Sequence, residues 1–168
     1  VSAARMAKAG FTGAPAVILQ TEHWHDLGEN WLITQQYFKP YPVCRWAQGP
    51  IAAVLDLKSR YEFKSNEIAS VHITSFHEAV RLGQKDVTNT EEAQYSTSFP
   101  CAVALVHDNI LPKHITDDAL KDSEVQRLSS ILTMSEDDHA NLVFPESRLA
   151  RADINLKNGR SLSSTWFE

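Results

Sequence analysis

The residues best suited to chemistry lie in a short proline-rich segment, residues 38–50, with the sequence FKPYPVCRWAQGP. Lys39 and Arg45 supply two cations, and Gly49 followed by Pro50 indicates the start of a helix with proline at its first position. Two prolines at alternate positions before that helix favour an extended path for the chain. Cations beside free helix amides form a receptor for a carboxylate or a phosphate. A stiff backbone would hold such a ligand at low entropic cost.

The same segment also fits a structural role. Lys39 would then be a solvated loop lysine, and Arg45 would pair with an acid on the surface. Most charge clusters of this kind in proteins are structural, so the residue types alone favour this alternative.

Polar side chains also crowd residues 91–100, with the sequence EEAQYSTSFP. Gln94, Ser96 and Ser98 are spaced to direct polar groups into a pocket. They suit equally well the capping of a helix that Pro100 is predicted to begin. Capping is the commoner use of serine at such a position. Both uses stay open at this point.

The histidines and cysteines give no sign of a metal site. His23 and His25 lie two residues apart in a polar stretch with no third ligand nearby. Cys44 and Cys101 form no CxxC motif, which favours two free thiols in a reduced, cytoplasmic protein, with a single disulfide as the alternative. The sequence also lacks HExxH, nucleophile-elbow and Walker signatures.

The composition is that of an ordinary globular domain. The chain has 168 residues, of which 43% are hydrophobic and 22% charged, so it is long enough to bury a core without disulfides or metals. A net charge of −5 argues against a nucleic-acid-binding protein, while it leaves room for a local basic pocket. No apolar run approaches the length of a membrane span, and the first residues lack the apolar core of a signal peptide.

The elements that must position these side chains do not alternate regularly. Strands are predicted over residues 31–38 and 67–76; in the second, alternation places Val71 in the core and His72 towards solvent. Helices are predicted over residues 2–9, from Pro50 to about residue 60, after Asn89, from Pro100 to 106, and over 117–132 with an interruption near 122.

A final hairpin completes the predicted fold. Asn158-Gly159 lies between two alternating runs, a pattern that predicts a type I′ turn. The order of strand, helix, strand, helices and hairpin favours an α+β fold. We expect a mostly antiparallel sheet with helices packed on one face.

Two of these segments carry a resemblance to the MmgE/PrpD family. The run FKPYPVCRW, residues 38–46, is very similar to one block of that family. EAQYS, residues 92–96, leads through Phe99 into an alanine- and valine-rich helix and resembles a second block in the correct order. FTGAP, residues 11–15, resembles the stretch where the family's chain leaves its large helical domain. The closing Asn158-Gly159 hairpin fits the end of its smaller domain.

The resemblance implies a fold and an activity. The family includes 2-methylcitrate dehydratase, cis-aconitate decarboxylase and iminodisuccinate epimerase, which act on small di- or tricarboxylates without an essential metal or organic cofactor. Their shared chemistry is proton transfer at a carbon next to a carboxylate. A large helical domain and a smaller α+β lid, usually in a homodimer, enclose the active site between them. Residues 1–16 would then end the helical domain and its linker, and residues 17–168 would form the lid.

The resemblance also assigns site residues. Lys39 matches a lysine that lines the family's active site, where it would bind a substrate carboxylate and stabilise the negative charge of an enolate-like transition state. Tyr41 and Arg45 would shape or neutralise the same pocket. Ser96, from the second block, would add a hydrogen bond to the substrate.

Two positions depart from the family's pattern. Gln48 stands where many relatives carry a histidine soon after the arginine–aromatic pair, and Phe99 stands where some carry a tyrosine. In a relative that uses either group for proton transfer, that step would proceed differently here. The leading prediction is therefore the lid of a lyase or isomerase that needs its helical domain for activity. The alternatives are a non-catalytic carboxylate-binding or dimerisation module derived from such a lid, and a purely structural domain.

Overall fold

A computed structural model describes residues 1–15, 17, 25–83 and 86–168 of the chain. These residues divide into two compact units, Val1–Phe38 and Lys39–Glu168. The predicted division after residue 16, into the tail of a helical domain and a lid, stays a prediction.

The described residues of the first unit include a helix and a 3₁₀ turn. Helix α1 (Ser2–Lys8) confirms the helix predicted over residues 2–9. The strand predicted over residues 31–38 is wrong, because Leu32–Gln35 forms a 3₁₀ turn. The Thr34 backbone N–H and hydroxyl both donate to the Trp31 carbonyl, at 2.9 and 2.7 Å, and close that turn locally. Aromatic and β-branched residues favour a strand only where neighbouring strands pack against them, and the sheet of this structure lies in the second unit.

The second unit is built on a four-stranded sheet. Its strands are β1 (Ile68–Ser75), β2 (Leu132–Glu136), β3 (Ala150–Leu156) and β4 (Ser161–Ser163). They lie in the order β2-β1-β3-β4. The β1–β2 pair is parallel, and the β1–β3 and β3–β4 pairs are antiparallel. The predicted α+β class is confirmed. Strand β2 was not predicted, because its first apolar residue continues the helical pattern before it.

In this unit the described residues form six helices: α2 (Gln48–Arg60), α3 (His77–Arg81), α4 (Thr90–Tyr95), α5 (Ser98–His107), α6 (Ser123–Ile131) and α7 (Asp138–Val143). The predicted cap of α4 is confirmed, since the Asn89 side chain accepts from Glu92 N at 2.9 Å. Asp122 caps α6 at the predicted interruption. Helices α2 and α5 each begin two residues before the predicted proline. Pro50 and Pro100 fit there because the N–H groups of a first turn have no partner within the helix.

The two faces of the sheet differ in character. Val71 and Ile73 of β1 are fully buried, as is Ile154 of β3. On the other face the His72 ring bonds the hydroxyls of Thr133, at 2.9 Å, and Ser135, at 2.8 Å. His72 is therefore half-buried within a polar layer, where the sequence predicted a ring turned to solvent. That the helices cover one face of the sheet stays a prediction.

The predicted hairpin joins β3 to β4, but its turn type is wrong. Gly159 has φ +87°, whereas Asn158 is not in the left-handed region that a type I′ turn requires at both positions. The Leu156 carbonyl accepts from Gly159 N at 3.0 Å, and the Asn158 side chain accepts from Arg160 N at 3.1 Å. The asparagine side chain thus satisfies the backbone of a longer loop in which only the glycine is left-handed.

Gly49 marks the closest approach of α2 to the end of the chain. A Cβ at Gly49 would lie 3.1 Å from the Phe167 carbonyl oxygen and 3.2 Å from that of Arg148. Both are backbone atoms, and Phe167 is held by two 2.8 Å hydrogen bonds with Ala150. We predict that Gly49→Ala lowers the free energy of unfolding by about 1–3 kcal/mol, measured by urea denaturation. Gly13→Ala is the control, because a Cβ there meets no atom within 4 Å. Equal losses in both variants would contradict this interpretation.

Arg127 links α6 to the start of β1 through hydrogen bonds. Its guanidinium donates to the carbonyls of Ser65, at 2.9 Å, and Ile68, at 3.3 Å. It also donates to the Glu124 carboxylate at 2.8 Å, and this hydrogen bond lowers the pKa of Glu124. A carboxyl whose pKa is lower in the folded state contributes stability above its unfolded pKa, and that contribution is lost as pH falls through the folded pKa.

We therefore expect Glu124→Gln to lower the free energy of unfolding at neutral pH by about 0.5 kcal/mol. The difference from wild type should shrink as the medium becomes acidic enough to protonate Glu124. Chemical denaturation across a pH series measures both effects. Glu62→Gln, which changes an exposed carboxylate outside α6, is the control. A difference for Glu124→Gln that does not depend on pH would refute the assignment.

Candidate functional site

The proline-rich segment folds as a bent loop that leads into a 3₁₀ turn (Arg45–Ala47) and then α2. The two prolines keep this path out of a helix, as predicted, but residues 40–43 are bent where an extended path was predicted. The Cys44 backbone N–H donates to the Gln94 carbonyl at the end of α4, at 2.8 Å. This hydrogen bond brings together the two polar segments that the sequence singled out.

The buried side chain of Gln48 forms hydrogen bonds to the backbone of this loop. Gln48, the first residue of α2, is 2% exposed. Its Oε1 accepts from Tyr41 N at 3.0 Å. Its Nε2 donates to the carbonyls of Tyr41, Val43 and Cys44 at 3.2, 3.3 and 3.1 Å. The carboxamide therefore satisfies backbone groups that the loop leaves outside any helix or sheet ladder. The sequence identified Gln48 only as a departure from a family pattern, and nothing in its spacing signalled this contact.

Lys39 is held on the same loop. Its ammonium donates to the Val43 carbonyl at 3.0 Å. An ammonium has three N–H donors, and the described residues show one of them in use. The cation is therefore fixed at the loop surface, with donors left for a ligand.

The Lys39 ammonium borders a small cavity. The cavity has a volume of about 250 Å³ and is lined by Lys39, Pro42, Val43, Cys44, Arg45, Gln94 and Tyr95. This volume suits a small metabolite, since cavities for drug-sized ligands begin at roughly 300 Å³. Two cations at a concave surface provide favourable electrostatics for an anion.

A larger cavity, of about 630 Å³, lies at the other end of α2. Two of its cations have carboxylate partners: Lys58 pairs with Asp108 at 2.8 Å, and Arg60 with Asp56 at 3.0 Å. Its surroundings include acids as well as bases, so volume alone does not make it an anion site. The smaller cavity beside Lys39 is the better candidate.

Arg45 lines the smaller cavity, whereas Tyr41 is not among the residues that line it. An Arg45 guanidinium nitrogen lies 3.5 Å from Glu168 Oε1, so this arginine pairs with an acid, as the structural alternative predicted. The same contact shows that a carboxylate can reach this arginine. Tyr41 packs against the core, and burial raises the pKa of its phenol. The Tyr41 hydroxyl therefore keeps its proton and remains a hydrogen-bond donor.

Ser96 is not among the residues that line the cavity, and its hydroxyl faces a helix. It is 2% exposed, and its Oγ accepts from Phe99 N in the first turn of α5, at 3.1 Å. This is the capping use of serine that the sequence left open. Its hydrogen bond to a substrate stays a prediction.

Of the remaining reactive side chains, Cys44 lines the cavity and Cys101 does not. Within residues 1–15, 17, 25–83 and 86–168, no group of three or more histidines, cysteines or acids is placed to hold a metal ion. His23 lies outside the described residues. Cys44 and Cys101 are free thiols. Cys101 is fully buried, and burial raises the pKa of its thiol, so it is a poor nucleophile.

Comparison with models of protein families shows which family this chain belongs to. Residues 41–166 match the model of the MmgE/PrpD C-terminal domain. The chain belongs to the MmgE/PrpD family. The match includes Tyr41, Arg45 and Ser96, and it begins two residues after Lys39. A comparison with curated proteins finds no match for this MmgE/PrpD domain. In the part of the domain that the structure describes, no helix is long and apolar enough to cross a membrane.

The cap on α5 is testable in this MmgE/PrpD domain. We expect Ser96→Ala to lower the free energy of unfolding by about 1 kcal/mol, because Phe99 N loses its acceptor in a buried environment. Thermal or urea denaturation measures the loss. Ser59→Ala is the control, since the Ser59 hydroxyl is exposed and donates only to Asp56 O at 2.8 Å within its own helix. Losses of the same size in both variants would rule out a capping role for Ser96.

Proposed function

We propose that this MmgE/PrpD domain is the lid of a lyase or isomerase. It would complete an active site for a small di- or tricarboxylate together with the helical domain of the same enzyme. The observation that carries this proposal is the Lys39 ammonium, held 3.0 Å from the Val43 carbonyl at the edge of a cavity that Arg45 also lines. Alone, the domain would be inactive, because the family resemblance assigns the acid–base residues to the helical domain.

The proposed chemistry is proton transfer at a carbon next to a carboxylate. Removing that proton leaves an enolate-like species whose negative charge builds up on the carboxylate oxygens. A preorganised cation stabilises such charge more than it stabilises the ground state, and this difference accelerates the reaction. Lys39 would bind the carboxylate whose charge grows. Dehydration, decarboxylation and epimerisation of polycarboxylates all pass through this kind of charge development.

The other polar groups of the site would orient the substrate. Arg45 would bind a second carboxylate, which takes the place of Glu168. The Tyr41 hydroxyl, with its pKa raised by burial, would remain a neutral donor. Ser96 would contribute a hydrogen bond after a small change of its rotamer. Docking of the helical domain would exclude water and strengthen each of these interactions.

The same proposal extends to the cellular location, the oligomeric state and the cofactors of the enzyme. We place the enzyme in the cytoplasm, as two free thiols favour, and in a homodimer, as the family resemblance implies. The proposed reaction calls for neither a metal nor an organic cofactor, since Lys39 and Arg45 supply the positive charge.

A second candidate function has its own support. All residues that line the cavity belong to one compact unit, Lys39–Glu168. A carboxylate could therefore bind there without another domain, as in a non-catalytic carboxylate-binding or dimerisation module. Such a module would bind citrate-like acids without turning them over.

The test is an activity screen of the full-length protein against a panel of small polycarboxylates, followed by NMR in D₂O. Deuterium incorporation reveals proton abstraction even where no net product forms. We expect incorporation into at least one substrate. Binding without any incorporation or turnover would instead favour the module.

For a substrate found in this way, we predict that Lys39→Ala raises the barrier for kcat/KM by roughly 2–4 kcal/mol, the size of losing one oxyanion donor. At about 1.4 kcal/mol per tenfold change, this is a loss of roughly 30- to 1000-fold. Lys157→Ala, which removes an exposed lysine in the β3–β4 hairpin, is the matched control. Activity of Lys39→Ala near that of the control would leave Lys39 with no part in the reaction.

A further inference from the structure

We propose that Gln48 is a positioning residue of this site, which fixes the carbonyl on which the Lys39 ammonium rests. The inference rests on the function proposed above, because it concerns how Lys39 is presented to a carboxylate. Gln48 itself is 2% exposed and lies under the loop, so it acts through Lys39 and does not contact a ligand.

The geometry centres on one shared acceptor. The Val43 carbonyl oxygen accepts one hydrogen bond from the Lys39 ammonium, at 3.0 Å, and another from the Gln48 carboxamide nitrogen, at 3.3 Å. A carbonyl oxygen has two lone pairs, so both donors can be accepted at once. The buried amide fixes the direction of the carbonyl. The carbonyl in turn fixes where the ammonium lies at the edge of the cavity.

Gln48 also joins the loop to the most rigid part of the domain. It opens α2, where its neighbour Gly49 packs against the backbone of Arg148 and Phe167, and Ile51 is fully buried. A side chain based there has little freedom to move. Its hydrogen bonds to the backbone of Tyr41, Val43 and Cys44 therefore restrict the motion of the loop as well. A lysine has a long flexible stem, so holding its head group in advance lowers the entropic cost of binding.

Glutamine is chemically suited to this task. The loop presents one donor, Tyr41 N, and three acceptors to the interior, and a carboxamide offers one acceptor oxygen beside a nitrogen with two N–H groups. An apolar residue of the same size would leave these groups unsatisfied in a buried position. Such a loss would disturb the loop whether or not the site binds anions, so stability by itself cannot identify a positioning role.

The experiment therefore measures ligand binding in the folded protein. The probe is citrate, titrated into the isotope-labelled 168-residue chain and followed by NMR. The variants are Gln48→Met, which keeps the length of the side chain but removes its donors and acceptor, Lys39→Met, and the double variant. We expect each single variant to weaken citrate binding by about tenfold, the equilibrium equivalent of one charge-assisted hydrogen bond. We expect the double variant to bind no more weakly than Lys39→Met alone, because both changes remove the same interaction.

Gln126→Met is the matched control. Gln126 also uses its carboxamide nitrogen to bond a backbone carbonyl, that of Leu120 at 2.8 Å, but it lies on α6 and does not line the cavity beside Lys39. Citrate binding by this variant should equal that of wild type. Gln126 is exposed, so this variant controls for the loss of a carboxamide-to-carbonyl hydrogen bond and not for burial. If losing such a hydrogen bond weakened citrate binding by both glutamine variants alike, the proposal would be overturned.

Other outcomes are equally decisive. If Gln48→Met unfolds more easily yet binds citrate as wild type does, Gln48 is structural only. Additive losses in the double variant would show that Gln48 does not act through Lys39. If Lys39→Met binds citrate normally, the proposed function fails together with this inference; if only Gln48→Met binds normally, this inference fails alone.

A measurement on the wild-type protein covers the case in which Gln48→Met does not fold. The side-chain amide protons of Gln48 should shift as citrate binds, since a carboxylate on the Lys39 ammonium changes the charge beside the carbonyl that both donors share. The side-chain amide protons of Gln126 should stay in place. Unchanged Gln48 resonances at saturating citrate would overturn the proposal.

Discussion

The structure of the site depends on one constraint: a partly buried loop that is neither helix nor strand must still satisfy its backbone hydrogen-bonding groups. Two prolines keep residues 39–44 out of regular structure, and Val43 lies in the core. The Gln48 carboxamide supplies the missing partners, with one acceptor and one donor group reaching three residues of the loop. Because an unpaired buried polar group is costly, this contact determines the loop's path and hence the position of Lys39.

Charge within the domain is arranged locally. The chain has a net charge of −5, yet two of its cations, Lys39 and Arg45, border one small cavity. Arg45 pairs with Glu168 there, just as Lys58 pairs with Asp108 and Arg127 with Glu124 in other parts of the domain. The local grouping of Lys39 and Arg45 is the feature that supports the proposed lid with a limited basic patch for an acidic metabolite. Membership of the MmgE/PrpD family places that patch on a C-terminal domain.

Local chemistry predicted most of the fold. The asparagine cap before α4, the aspartate that interrupts the chain before α6, and the hairpin at Asn158-Gly159 all act over a few residues, and all are present. The two errors in the strand predictions have one cause. Residues 31–38 have strand-forming side chains but form a local turn, because strand formation needs neighbouring strands. Strand β2 was missed because Leu132 continues the apolar stripe of α6, and its strand identity comes from pairing with Val71 of β1.

The sequence by itself determined the family, the α+β class and the segment that carries the candidate cations, because these depend on residue order and short-range patterns. Only the tertiary structure showed that Gln48 lies beneath the loop, that Glu168 reaches Arg45 from the far end of the chain, and that Ser96 faces the first turn of α5. A side chain's partner depends on how distant elements pack in three dimensions. Arg45 and Glu168 are 123 positions apart. Gln48 and Ser96 bond near neighbours, but residue order alone does not show which polar side chains the fold buries.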